Sequence, residues 1–113
     1  VTASDALVLF FHDVVNGADW VKLLKPHSWA TQNAPATGAA YMNIPSAYLL
    51  TEEDRATPVP VQQVLVERAR RRGAQIETET IKTGHTPWLA MPDQVLAYIK
   101  KHAGESGERT GSS

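Results

Sequence analysis

The sequence predicts an α/β protein, and three observations carry that expectation. Residues 47–51 (AYLLT) are a short, almost continuous apolar run of the kind a buried strand shows. Residues 75–81 (QIETETI) make a second β-prone segment. Between them, residues 61–72 place Val61, Val64, Leu65 and Ala69 at the spacing of a one-sided helix. Strand, helix and strand, in that order and within roughly 35 residues, is the pattern of a parallel βαβ unit.

Length and composition bound what such a unit can belong to. The chain has 113 residues, and α/β enzymes commonly need roughly 200–250, so the expectation is one small domain or a piece of a larger one. A net charge of −1 provides no global field toward nucleic acid or an anionic membrane surface. There is no cysteine, which removes disulfides, thiolate metal sites and a thiol nucleophile together. No apolar run approaches the roughly 20 residues of a membrane-spanning helix. The expectation is a soluble protein, with the cytoplasm slightly favoured as its location.

In chain order, residues 4–14 read as a helix capped by Ser4, with Leu7, Val8, Phe10, Phe11 and Val14 too dense for a single apolar stripe. Gly17 breaks it. A second short helix covers residues 18–24 and stops at Pro26. Residues 27–40, rich in Ser, Thr, Asn, Pro and Gly, read as loop. Pro58 and Pro60 introduce the helix of residues 61–72, and Gly73 ends it. Arg68, Arg70, Arg71 and Arg72 complement the negative end of that helix; no aromatic interleaving marks them as a nucleic-acid patch. Glu77 and Glu79 make residues 75–81 resemble a charge-guarded edge strand. The last helix spans residues 92–102, with Val95, Leu96, Ile99 and Ala103 as its buried stripe. Residues 104–113 (GESGERTGSS) have nothing to bury and are expected to be disordered.

Chemistry in open α/β sheets collects just beyond the carboxyl ends of the strands. Glu52, Glu53 and Asp54 follow the first strand; Gly84 and His85 follow the second. Asp54 and His85 are separated by 85 − 54 = 31 residues, enough for a turn, a helix and a returning parallel strand. Two neighbouring strands would thus bring a carboxylate and an imidazole to one rim.

The segment IPSAYLLTEEDRATP (residues 44–58) and the later TGHTPWLAMP (residues 83–92) give strand, D-x-x-x-P, helix, strand and G-H-T-P-x-L-x-x-P. In this the chain resembles the C-terminal part of an α/β-hydrolase, nearest to the esterase and hydroxynitrile-lyase-like branch, over residues 44–102. The resemblance implies Asp54 as the triad acid and His85 as the base, with Glu52 and Glu53 as nearby rivals for the acid. It implies a cap or lid over residues 1–40, the strand–helix–strand–helix core over residues 41–103 and a tail over residues 104–113. Phe10 and Phe11 are then candidate substrate-pocket residues, with Trp20 and Trp29 beside them. Packing within the lid is the competing reading and the commoner fate of large aromatics. Trp88, three residues beyond the base, is either a wall of the cleft or a plug beneath the last helix.

The family's nucleophile would be the serine of a G-x-S-x-G elbow. None of Ser4, Ser28, Ser46, Ser106, Ser112 and Ser113 has glycine at both −2 and +2. His12, His27, His85 and His102 show no metal-binding spacing, and neither a metal nor a cofactor is expected. The resemblance therefore implies a carboxylic ester hydrolase to which this chain supplies acid and histidine. The serine and the rest of the sheet would come from an N-terminal portion not in this chain. A self-associated dimer is the other partner that could cover the open sheet. The substrate would be a small ester-like molecule, with no nucleic-acid or membrane partner. Two alternatives stand beside this: a lyase of the same fold, and a noncatalytic interaction module or truncated fragment.

Overall fold

The computed structural model describes residues 2–104. Helix α1 (Ala3–Phe10), α2 (Gly17–Val21) and α3 (Ala30–Asn33) precede a 3-10 turn at Ala40–Met42. Strand β1 (Ser46–Thr51), α4 (Val59–Arg71), β2 (Ile76–Ile81), α5 (Pro87–Ala90) and α6 (Pro92–His102) follow. β1 and β2 run parallel, in a register from Ser46 opposite Ile76 to Thr51 opposite Ile81. Their carboxyl ends therefore finish side by side. The expected tail lies outside the described residues, apart from Gly104.

The first helix is shorter than its apolar content suggests and is capped two residues earlier than Ser4. Thr2 Oγ1 accepts the Asp5 amide at 3.1 Å, and the Asp5 carboxylate accepts the Thr2 amide at 3.0 Å. That reciprocal capping box fixes the start. The helix stops at Phe10, and residues 11–16 turn under it instead of continuing to residue 14. Gly17 opens α2 and does not merely break a helix. A Cβ there would lie 2.7 Å from the Phe11 carbonyl oxygen, so only glycine fits so close to that turn. The expected loop after Pro26 contains the short α3, closed by the Ala34 amide donating to the Ala30 carbonyl at 3.0 Å.

Helix α4 shows the largest departure from the hydrophobic pattern. The side chains buried against the strands are Gln62 and Val66, whereas Val61, Val64 and Leu65 are exposed. Helix α4 begins at Val59 because proline is tolerated in a first helical turn. The inward face then carries an amide, and that amide satisfies the end of β1. Gln62 is 1% exposed. Its Oε1 accepts the Thr51 amide at 3.0 Å, and its Nε2 donates to the Thr51 carbonyl at 3.1 Å and the Thr57 carbonyl at 2.7 Å. The helix ends as expected, with Gly73 at φ 102 after it. Arg70 reaches across to the Ile76 carbonyl with two N–H donors, at 2.8 and 3.1 Å, tying helix end to strand start.

The apolar stripe expected for α6 is also uncovered: Val95 is half-buried, and Leu96, Ile99 and Ala103 are exposed. Its last turn instead anchors to β2 by charge. Glu79 accepts from His102 Nε2 at 2.8 Å and from Lys101 Nζ at 3.1 Å. The core described here is small: Leu50, Val66, Ala74 and Ile81 around the strands, and Ala6, Phe11 and Val14 beneath α1.

Replacing Gln62 by leucine tests the buried amide. It strands the Thr51 amide and the Thr57 carbonyl, while the Thr51 carbonyl keeps the Asp54 amide. At roughly 1–3 kcal/mol for each unpaired group, Gln62→Leu should lower the unfolding free energy by about 3 kcal/mol. Urea denaturation of the intact protein measures this. A loss below about 0.5 kcal/mol would show that the network carries no net weight.

Candidate active site

The site forms where the two strands end. After Thr51 the chain turns through Glu52 and Glu53, whose amides donate to the Ile81 and Thr83 carbonyls, both at 2.9 Å. This extends the ladder past the strands and leaves both glutamates exposed. The next side chain, Asp54, turns inward. It is 5% exposed, and both its oxygens are occupied. Oδ1 accepts the Ala56 and Thr57 amides, each at 2.8 Å; Oδ2 accepts the Thr51 hydroxyl at 2.9 Å. His85 Nδ1 lies 3.0 Å from Oδ2 and 3.2 Å from Oδ1. A carboxylate can only accept, so Nδ1 carries the proton, and Nε2 is the nitrogen able to take one up.

Burial pushes the Asp54 carboxyl up. Hydrogen bonds from the Thr57 amide, His85 and Thr51, together with the charge of the imidazole, more than offset it, and the net shift is downward from the ordinary 3.8. Asp54 is held as an anion facing a ring nitrogen. Tyr48 shifts the other way: burial and the nearby Asp54 charge raise its phenol above the usual range.

The structure brings Asp54, His85, Phe10 and Trp88 together, with Phe11 packed edge-on against Phe10, ring centroids 6.4 Å apart. An open groove of about 450 Å³ is lined by Tyr48, Asp54, His85, Trp88, Val95 and Ile99. Trp88, at 56% exposed, lines that groove. Phe10 covers another side of the imidazole, ring centroids 5.1 Å apart. It also lines a second groove of about 680 Å³ with Val21, Leu24 and Trp29. Phe11 is 7% exposed and packs in the turn after α1, lining neither groove. Trp20 and Trp29 are both exposed, so neither is core of the described residues.

Sequence reasoning missed Thr51 and Gln62, which hold the acid from behind. Gln62 Nε2 donates to Thr51 Oγ1 at 3.0 Å, which turns the Thr51 hydroxyl proton toward Asp54. The only local signal is a glutamine four residues after Pro58, on a face that periodicity assigns to solvent. Gly73 and Gly104 are the glycines at positive φ among the described residues, so Gly84 does not supply an unusual turn. It supplies close approach: a Cβ there would meet His12 Nε2 at 2.6 Å and Asp13 Oδ1 at 2.8 Å.

Comparison with known proteins places this geometry. The model of the alpha/beta hydrolase family matches residues 2–98. The chain is 38% identical over 92 residues to "Alpha/beta hydrolase nvfD" of Aspergillus novofumigatus, covering 80% of this chain and 36% of that protein. It is 29% identical over 82 residues to "Probable hydrolase R7" of a Phoma species, covering 72% of this chain and 34% of that protein. The chain thus spans about a third of the length of these curated relatives. With an acid after one parallel strand and a histidine after the next, the chain belongs to the α/β-hydrolase family, of which it is a C-terminal portion.

Proposed function

We propose that this chain supplies the acid and the base of a serine hydrolase that cleaves carboxylic esters, the nucleophile lying outside these 113 residues on an N-terminal portion. The observation that carries this reading is the 3.0 Å contact between His85 Nδ1 and a buried Asp54 whose other lone pairs are already occupied. Such a carboxylate fixes the imidazole tautomer and stabilises the imidazolium that forms during turnover. His85 Nε2 takes the serine proton as the serine oxygen attacks the ester carbonyl. The same N–H then protonates the departing alcohol oxygen, and water repeats the sequence on the acyl-enzyme. Asp54 keeps its charge throughout.

The printed names of both relatives, a hydrolase and a probable hydrolase, support the reaction class. In this reading residues 1–40 act as the lid, with Phe10 against the base and the groove beside it taking an apolar part of the substrate. Trp88 lines the separate groove that holds Asp54 and His85.

Turnover of short-chain p-nitrophenyl esters by the intact protein tests the proposal, with mandelonitrile as the competing substrate. Ester hydrolysis without cyanohydrin cleavage is the expected result. Cyanohydrin cleavage with inert esters would replace the hydrolase by a lyase of the same fold.

A further inference from the structure

One four-residue stretch, Phe10 to Asp13, touches both loops of the site. The Gly84 amide donates to Asp13 Oδ2 at 2.7 Å, and the Thr86 hydroxyl donates to the Phe10 carbonyl at 2.9 Å. These contacts grip His85 from the residue before it and the residue after it. The ring of Phe10 lies against the imidazole itself. On the acid side, His12 Nε2 donates to the Glu53 carbonyl at 2.8 Å, one residue before Asp54. The two loops meet again where the Glu53 amide donates to the Thr83 carbonyl at 2.9 Å.

Two features indicate that this grip is built for geometry rather than for stability. Asp13 Oδ1 is buried with no hydrogen-bond partner among the described residues, a desolvation cost that a surface aspartate would avoid. A Cβ at Gly84 would run into the far ends of the His12 and Asp13 side chains, so any larger residue would have to push these two groups off the backbone atoms they hold.

We propose that His12 and Asp13 are positioning residues for the acid–base pair, clamping the Glu53–Asp54 turn and the Gly84–His85 turn in one register. The inference rests on the reading of Asp54 and His85 as acid and base. The clamp acts on backbone, so it sets where Nδ1 points without touching substrate. A displacement of about 1 Å at a reacting group costs on the order of 100-fold in rate.

The test uses the intact protein with Asp13→Ala and Asp13→Asn, assayed on a p-nitrophenyl ester below their melting temperatures. Proton NMR of the downfield His85 Nδ1–H accompanies the kinetics. Asp13→Ala should lower kcat about 10- to 100-fold with KM nearly unchanged, and weaken or shift that resonance. Asp13→Asn keeps an oxygen to accept the Gly84 amide and should recover most of both. A folded Asp13→Ala with parental kcat and resonance, or with the loss confined to KM, would overturn the clamp. Should Asp13→Ala fail to fold, His12→Phe decides by the same readouts: the same loss supports the clamp and parental behaviour rejects it. A His85→Ala control separates the two readings. Were it to turn over ester like the parent, the hydrolase reading would fail, and the resonance alone would decide the clamp.

Discussion

Replacing His85 by alanine should reduce ester turnover by the intact protein by roughly four orders of magnitude or more, with KM little changed. The loss is this large because the imidazole serves twice, as base for the serine and as acid for the departing alcohol. Asp54→Asn should lose about as much by a different route. The asparagine amide can donate to Nδ1, which stabilises the tautomer with its proton on Nε2, where the serine proton must go. Asparagine Oδ1 can still accept the Ala56 and Thr57 amides, so the turn should persist even though the Thr51 hydroxyl loses its acceptor. Steady-state kinetics on a p-nitrophenyl ester measure both variants. Turnover unchanged in either would end the triad reading.

The second large effect concerns the chain on its own. Isolated, these 113 residues should either self-associate or melt without a cooperative transition. Val61, Val64 and Leu65 on α4 and Leu96 and Ile99 on α6 are exposed, although their spacing is that of packed helix faces. The two helices flank a sheet of only two parallel strands among the described residues. Parallel strands are stable where both faces and both edges are covered, and this pair leaves an edge open on each side. Fully burying a large apolar side chain is worth roughly 1.5–3 kcal/mol, so covering these five, each already about half covered, is worth several kcal/mol, comparable to the whole stability of a marginal small domain. Sedimentation velocity with calorimetry reads the outcome. A cooperative monomer would mean that these faces need no partner. Mixing with an N-terminal portion that carries the G-x-S-x-G serine should convert the sample to a defined complex, whereas strand swapping between copies would give an inactive oligomer.

How far the sequence revealed this arrangement differs from residue to residue. Asp54 and His85 were legible because each follows a strand by a fixed short turn, and parallel pairing carries those turns to one rim. The end of α6 was legible because Pro92 can begin a helix and the cationic Lys100, Lys101 and His102 complement its end. Gln62 was not, because hydrophobic periodicity assigns the buried face to Val61, Val64 and Leu65. It cannot anticipate that an amide is wanted where a strand end needs both a donor and an acceptor. In the proposed reading, those three valine and leucine positions are apolar for a surface beyond this chain's own two strands. Nor could local pattern show Asp13 on the Gly84 amide, since the partners are 71 residues apart and neither has a neighbour that signals the contact. Phe10 and Phe11 are adjacent and chemically alike, yet one faces the imidazole and the other the core. Only the point at which α1 ends decides between them.

In the proposed reading Asp54 and His85 serve a serine that is not among the 113 residues. Labelling the intact, active protein with a fluorophosphonate and locating the adduct by peptide mass spectrometry tests it most directly. One modified serine is expected, at the centre of a G-x-S-x-G segment outside this chain, with labelling slowed in parallel with turnover by His85→Ala. An adduct on Ser4, Ser28 or Ser46, or full ester turnover with no serine labelled at all, would contradict it.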